Sequence, residues 1–325
     1  MPVLTTACIG HSELVAYAER TINLSREDAR IYRDQVNRLR EKLDKFIREH
    51  PDYGLIKMLL SGSLAKGTAL KTINDIDVAV YIQSDKAPED WGQLLNWLAE
   101  KLREAYPQMH PDQIIPINHG VRISFRGTGL DVDVVPVRWD GDPDDRGYLI
   151  ARDTGEQVLT SIPLHIKFIR ARKSAQPDHF AQVVRFVKWW ARDRKKNDAA
   201  FRFKSFMAEL ILANLSDNGQ VLSDYPTAME KVFTYIVKSG LKDRIYFTDY
   251  YPSSCLPAKS ASPIEIIDPV NENNNVAKGY TDQDRRLIVE AAEEALDSLA
   301  EARFATTKER AVECWQDIFG QSFRG

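Results

Sequence analysis

The chain has 325 residues, enough for one large domain or two packed ones, with 43% apolar residues and a mean hydropathy of −0.38. Its net charge of −3 gives no global attraction to nucleic acid, and no run of about 18 apolar residues is present to cross a bilayer. Cys8, Cys255 and Cys314 lie far apart with no CxxC or Cys/His cluster. This argues against zinc and for reduced thiols in a cytoplasmic protein, and MPVLTTACIGHSEL lacks the basic and apolar regions of a secretory signal.

The first predicted element is a helix from Ser25 to about His50. Ser25 is its N-cap, with Asp28 three residues on, and Pro51 ends it. Ile31, Val36, Leu39, Leu43 and Ile47 form its apolar stripe. The stretch 59–82, LLSGSLAKGTALKTINDIDVAVYI, is the one around which the chain is organised. In its Ser-Gly-Ser turn, Gly62 offers a bare backbone and Ser63 a hydroxyl. N–H groups at such a turn, ahead of a short helix over 64–68, suit a phosphate. It is not a Walker loop, because Lys66 precedes Gly67 instead of following it. An Asn74-Asp75 corner leads into a strand over 75–82. Ile76, Val78, Val80 and Ile82 share one face, and Asp75 and Asp77 open the other. Two carboxylates side by side repel unless water or a cation neutralises them.

A helix over 87–106 comes next, with Trp91, Leu94, Leu95, Leu98 and Leu102 at helical spacing, and Pro107, Pro111 and Pro116 mark a loop. Strands over 121–126 and 129–137 are joined by a hairpin turn at Gly127-Thr128-Gly129. In the second strand Leu130, Val132 and Val134 oppose Asp131 and Asp133. Facing side chains of neighbouring strands stand roughly 5 Å apart. Either aspartate could thus join Asp75 and Asp77 around two Mg²⁺ ions, which such sites hold about 3.5–4 Å apart. The chemistry this implies is metal-assisted phosphoryl or nucleotidyl transfer.

The loop-like segment 139–147 closes an α/β half, and beyond about Ser161 the pattern is helical: 165–173, 180–194, 205–215, 228–239, 282–302 and 307–319, with 249–269 irregular. The expected division is 1–160, including the long N-terminal helix, and 161–325. On the helix over 180–194, Phe180, Val183, Val184 and Val187 form the buried stripe, while Ala181, Arg185, Lys188 and Arg192 line another face. Ser205 is placed to cap the helix after it. Basic clusters at 167–173 and 192–196 read as solvated surface, with a double-stranded DNA contact as the alternative.

Gly62-Ser63, eleven residues, Asp75-Ile76-Asp77, then Asp133-Val134-Val135-Pro136 on a later strand, in that order, resembles the polymerase-β-like nucleotidyltransferases. Within them the chain is similar to the bacterial CD-NTases of anti-phage systems. VVRFVKWWARDR, FRFKSFMAELIL and IIDPVNENNNVA extend the likeness over most of residues 15–325. The wording of 61–82 resembles the branch that makes cyclic trinucleotides. The resemblance implies an α/β core with a mixed sheet, a helical domain after it, and an active site in the cleft between. It further implies Mg²⁺, as two ions, on Asp75, Asp77 and Asp133, the last chosen over Asp131 because it matches the family's Asp-Val-x-Pro wording. Gly62, Ser63, Lys188 and Ser205 would contact the triphosphate and Asn275 would lie near the nucleoside. ATP would be the substrate and cyclic tri-AMP the product, with a HORMA-domain regulator and an AAA+ remodelling ATPase as partners. The rivals are a nucleic-acid-extending enzyme, which would want an RNA-binding module or strong positive charge, an inactive sensing module, which would lack an aspartate, and a protein-modifying antitoxin-like enzyme, which is usually only the catalytic half.

Overall fold

The computed structural model describes residues 8–73, 75–127, 129–150 and 156–325, and these divide into two compact units, 24–167 and 1–23 with 168–325. The division is therefore not the one expected at residue 160. It falls inside a helix, α5 (Ile162–Ala175), and residues 8–23 belong to the helical unit. Their attachment is aromatic. In α1 (His11–Tyr17), the fully buried Tyr17 ring stands 4.8 Å from Phe323, and its hydroxyl shares a 2.8 Å hydrogen bond with Ser322.

The unit over 24–167 opens with α2 (Arg26–Glu49). Ser25 caps it, with its Oγ accepting from the Asp28 backbone N–H at 2.9 Å. The buried stripe is Val36, Leu39, Leu43 and Phe46, whereas Ile31 is 40% exposed. Then come β1 (Leu55–Leu60), α3 (Gly62–Lys66), β2 (Asp75–Gln83), α4 (Trp91–Ala105), β3 (Ile114–Ile117), β4 (Gly120–Phe125), β5 (Leu130–Trp139), β6 (Gly147–Ile150) and β7 (Gln157–Thr160). The helix expected from 87 begins at Trp91, because Asp90 caps it through the Gln93 backbone N–H at 2.8 Å. The expected hairpin turn at 127–129 includes Thr128, which lies outside the described residues, as does Asn74 of the corner before β2.

Among the described residues the sheet runs β1-β2-β5-β4-β3, with β6 and β7 continuing from β5. The central pair β2–β5 is parallel; the others are antiparallel. β3 was expected to be loop because of its proline. Pro116 is tolerated because β3 ends the row and pairs only with β4, so a missing N–H breaks no second ladder. One sheet face carries the main core, including Ile76, Val78, Val80, Val132 and Val134 under α2 and α4. The other buries a smaller group, Ala79, Tyr81 and Val137. The alternation read from the sequence is thus the alternation of two faces.

The helical unit is built from α1, α6 (His179–Asn197), α7 (Ser205–Asp217), α8 (Tyr225–Ser239), α9 (Asp282–Phe304) and α10 (Lys308–Phe319). α6 was expected to bury one stripe. It is instead buried nearly all round from Phe180 to Ala191, so the second, polar-looking face is interior as well.

Candidate active site

The Gly62 turn is held to β2 by the Ser61 backbone N–H, which donates to the Asp77 carbonyl at 2.9 Å. Gly62 has φ +62°, and a Cβ there would lie 2.1 Å from the Asp77 carboxylate. No larger residue fits while Asp77 stays in place. Ser61 occupies the N-cap position of α3, without a side-chain cap hydrogen bond. Ser63 is the second residue of the helix, half-buried, and its carbonyl accepts from the buried Thr68 backbone N–H at 2.9 Å.

The parallel register sets the acidic residues in rows. Asp75 stands opposite Asp131, and Asp77 opposite Asp133. All four share the face that carries Ala79 and Tyr81, so four carboxylates occupy one end of two neighbouring strands. β4 extends both rows on the other side of β5: Arg122 lies opposite Asp133, and Ser124 opposite Asp131.

These neighbours are bonded. Arg122 Nε and Nη2 donate to the two Asp133 oxygens at 2.8 and 3.1 Å, and Nη1 lies 3.6 Å from Asp131. Ser124 Oγ donates to Asp131 at 2.7 Å. His119 Nε2 stands 3.8 Å from Asp133, whose side chain is only 1% exposed. The Asp133 hydrogen bonds, with the charges of Asp133, Asp131 and Asp75, hold the Arg122 guanidinium above its ordinary pKa against the opposing effect of burial. The donor set suits a hard divalent cation: carboxylate oxygens, crowded and like-charged, beside a turn without a Cβ. As they stand, the side chains of the described residues do not gather three acidic, His or Cys groups around a single point. Asp133 is turned to Arg122 instead.

The other three candidates lie in the helical unit. Lys188 is buried and its Nζ donates to Glu209 Oε1 of α7 at 2.6 Å, with side chains 4% and 2% exposed. Its burial follows from the closure of α6 on nearly all sides. Ser205 is exposed and is the first residue of α7. The capping position belongs to Lys204, which makes no side-chain cap bond, so the expected Ser205 cap is not formed. Asn275 is a loop staple. Its Oδ1 accepts from the Ile266 and Ala277 backbone N–H groups, both at 3.0 Å. Its Nδ2 donates to Ser262 Oγ at 3.2 Å and the Ile264 carbonyl at 2.8 Å. An amide has two donors and two acceptor positions, and all are engaged, so the expected nucleoside contact has no side-chain group left to make it.

A nucleotidyltransferase domain model matches residues 39–136, which include every carboxylate of the block. Over 322 residues the chain is 49% identical to a cyclic AMP-AMP-AMP synthase of Escherichia coli strain MS 115-1, covering 99% of this chain and 100% of that one. It is 33% identical to the CBASS oligonucleotide cyclase CdnC of E. coli strain KTE188, over 97% of each. This chain belongs to the CD-NTase family. Solved structures of E. coli MS115-1 CdnC, one with ATP and one in complex with HORMA-deltaN, superpose on this CD-NTase with TM-scores of 0.95 and 0.93. They share 49% identity with it, over 98% of this chain and 100% and 99% of theirs. The fold is the polymerase-β-like nucleotidyltransferase core with a helical region after it.

In this CD-NTase the basic clusters are partly consumed within the fold. Arg172 is buried and bonded to Asp217 and Asp249, Arg192 stacks 5.1 Å over the Trp189 ring, and Arg194 pairs with Glu294. The residue that sequence reasoning passed over is Arg122. The alternation of β4 had already put Arg122 and Ser124 on one face, and the expected hairpin would have set them against Asp133 and Asp131.

Proposed function

We propose that this CD-NTase condenses ATP into cyclic AMP-AMP-AMP in anti-phage defence, releasing pyrophosphate, with Mg²⁺ held by Asp75, Asp77 and Asp133. The observation that carries the reading is the double row of carboxylates in register on β2 and β5, with Asp77 lying in the space that Gly62 leaves open. Substrate and product are those of the cyclic AMP-AMP-AMP synthase at 49% identity and its relative solved with ATP. Divalent metal, which nucleotidyltransferases typically use, would neutralise charge on the reacting phosphate and favour the alkoxide of the attacking ribose hydroxyl. The chain's own groups position the reactants. Backbone N–H groups of the Gly62–Ser63 turn and the Ser63 hydroxyl receive phosphate oxygens. Ser205, exposed on the first turn of α7, offers a further hydroxyl. Asp133 would lower the barrier to deprotonating the ribose hydroxyl that attacks, and Asp131, bonded by Ser124 on the same face, is the rival for that role. Lys188 enters as the tie between α6 and α7 through Glu209, so any part it plays at the triphosphate has to be made beside that pair.

A HORMA-type regulator is proposed as partner on the strength of the relative solved with HORMA-deltaN. An AAA+ remodelling ATPase rests only on the family wording of the motif, and a double-stranded DNA grip would fall to Lys167, Arg170, Lys195 and Lys196, since the other arginines of the two clusters are engaged. Among the described residues no helix is long and apolar enough to cross a membrane. The test is to incubate the pure protein with each nucleoside triphosphate and Mg²⁺, with and without its co-encoded partner, and to identify products by mass spectrometry. Cyclic AMP-AMP-AMP from ATP, rising with the partner and only modestly sensitive to salt, is expected. A linear product, another base, or activation by DNA alone that collapses with salt would overturn it.

A further inference from the structure

Asp133 is the most enclosed of the four carboxylates, and the group that encloses it is a guanidinium on the neighbouring strand. Both Asp133 oxygens accept from Arg122, the fork also reaches Asp131, and its charge is felt by Asp75. Arg122 itself is 34% exposed, so it can move where Asp133 cannot. A side chain that satisfies a carboxylate in this way does two opposing things. It holds the oxygens in one orientation, and it places a positive charge where a second cation would come.

We propose that Arg122 is a positioning residue that serves as the resident counter-ion of Asp133 and Asp131, and that it competes with the divalent cation for them. This rests on the reading that Asp133 is a metal ligand. The register makes the competition unavoidable. Asp133 is the middle member of the row Asp77, Asp133, Arg122, and both its oxygens already accept from Arg122, so a cation held with Asp77 would have to share Asp133 with the guanidinium. Without Arg122, four like charges would stand together in the metal-free protein. With it, the block is tolerable before metal arrives, and the metal concentration at which the site fills is raised. Ser124 does the milder part of the same work by bonding Asp131 without adding charge.

The full chain without nucleotide is titrated with Mn²⁺ and its melting temperature recorded, alongside Asp77→Asn, Arg122→Gln and Arg122→Lys. Wild type is expected to be stabilised by Mn²⁺ and Asp77→Asn not. Arg122→Gln should melt lower without metal yet reach its midpoint at about five- to tenfold less Mn²⁺, the size of the interaction between two unit charges about 4 Å apart at the dielectric of water. Arg122→Lys keeps the charge, loses the fork and should fall between the two, which also serves should the Gln variant fail to fold. A purely structural Arg122 would lower the melting temperature and leave the Mn²⁺ midpoint of both variants at the wild-type value, and that result overturns the proposal. A wild type indifferent to Mn²⁺ would instead overturn the metal reading itself, and this inference with it. The two failures appear in different proteins and cannot be confused.

Discussion

Two ion pairs on buried carboxylates, one in each unit, look alike and have opposite meanings. Arg122 meets Asp133 at 2.8 Å, and Lys188 meets Glu209 at 2.6 Å. In the helical unit both partners are sealed between α6 and α7, a cation against a carboxylate. In the sheet one guanidinium answers to Asp133, Asp131 and Asp75 together, and its own side chain remains a third exposed. The first pair closes a structure. The second sets one guanidinium against several carboxylates at the end of β2 and β5, and the proposed divalent cation would neutralise the excess of negative charge.

The sharpest way to break the contrast is to remove the surplus. Asp75→Asn with Asp77→Asn should abolish product, measured by mass spectrometry, because neutral amides do not hold Mg²⁺ against water as carboxylates do. The same protein should melt at or above the wild-type temperature in metal-free buffer, since like charges have been taken apart. Product at the wild-type rate would sink the metal assignment.

Gly62→Ala should reduce turnover by about a hundredfold or more while costing only about 1–3 kcal/mol of stability, from the strained positive φ. The added Cβ has to displace the Asp77 carboxylate, which it would otherwise meet at 2.1 Å. Stability from urea unfolding and turnover from product formation separate the two effects; equal losses in both would contradict it.

Lys188→Ala belongs to the other side of the comparison. It takes the ammonium away from the buried Glu209 carboxylate and should cost about 3–5 kcal/mol, whereas Lys188→Met with Glu209→Leu should recover most of that loss. The KM for ATP of the double variant then sharpens the role of Lys188: a raised KM returns its ammonium to the triphosphate, and an unchanged one confines it to the helix tie.

Asn275→Ala should be the smallest. It removes four hydrogen bonds from the loop, each of modest net worth, for a loss of about 1–3 kcal/mol. Amide exchange at Ile266 and Ala277, whose N–H groups Asn275 receives, should quicken before any other part of the unit. A change confined to ATP affinity, with exchange untouched, would restore the nucleoside contact.

By itself the sequence determined what repeats locally. Period two gave β2, β4 and β5 their faces, so Asp75 and Asp77 were legible as a pair, and so were Asp131 and Asp133. Period 3.6 gave the helices of the second half, each within a few residues of its observed span, and Ser25 gave the start of α2. Pairings between distant segments were decided only in three dimensions. The register that brings Asp77 to Asp133 and Asp133 to Arg122 depends on how β2 lies beside β5, and a slip of one residue would turn the acids to the other face. The attachment of residues 8–23 to the helical unit, where Tyr17 lies 302 positions from its partner Phe319, left no local trace. Lys188 shows why. A charged residue on a helix face reads as solvated until another helix covers that face, and whether one does is a property of packing, to which neither period responds.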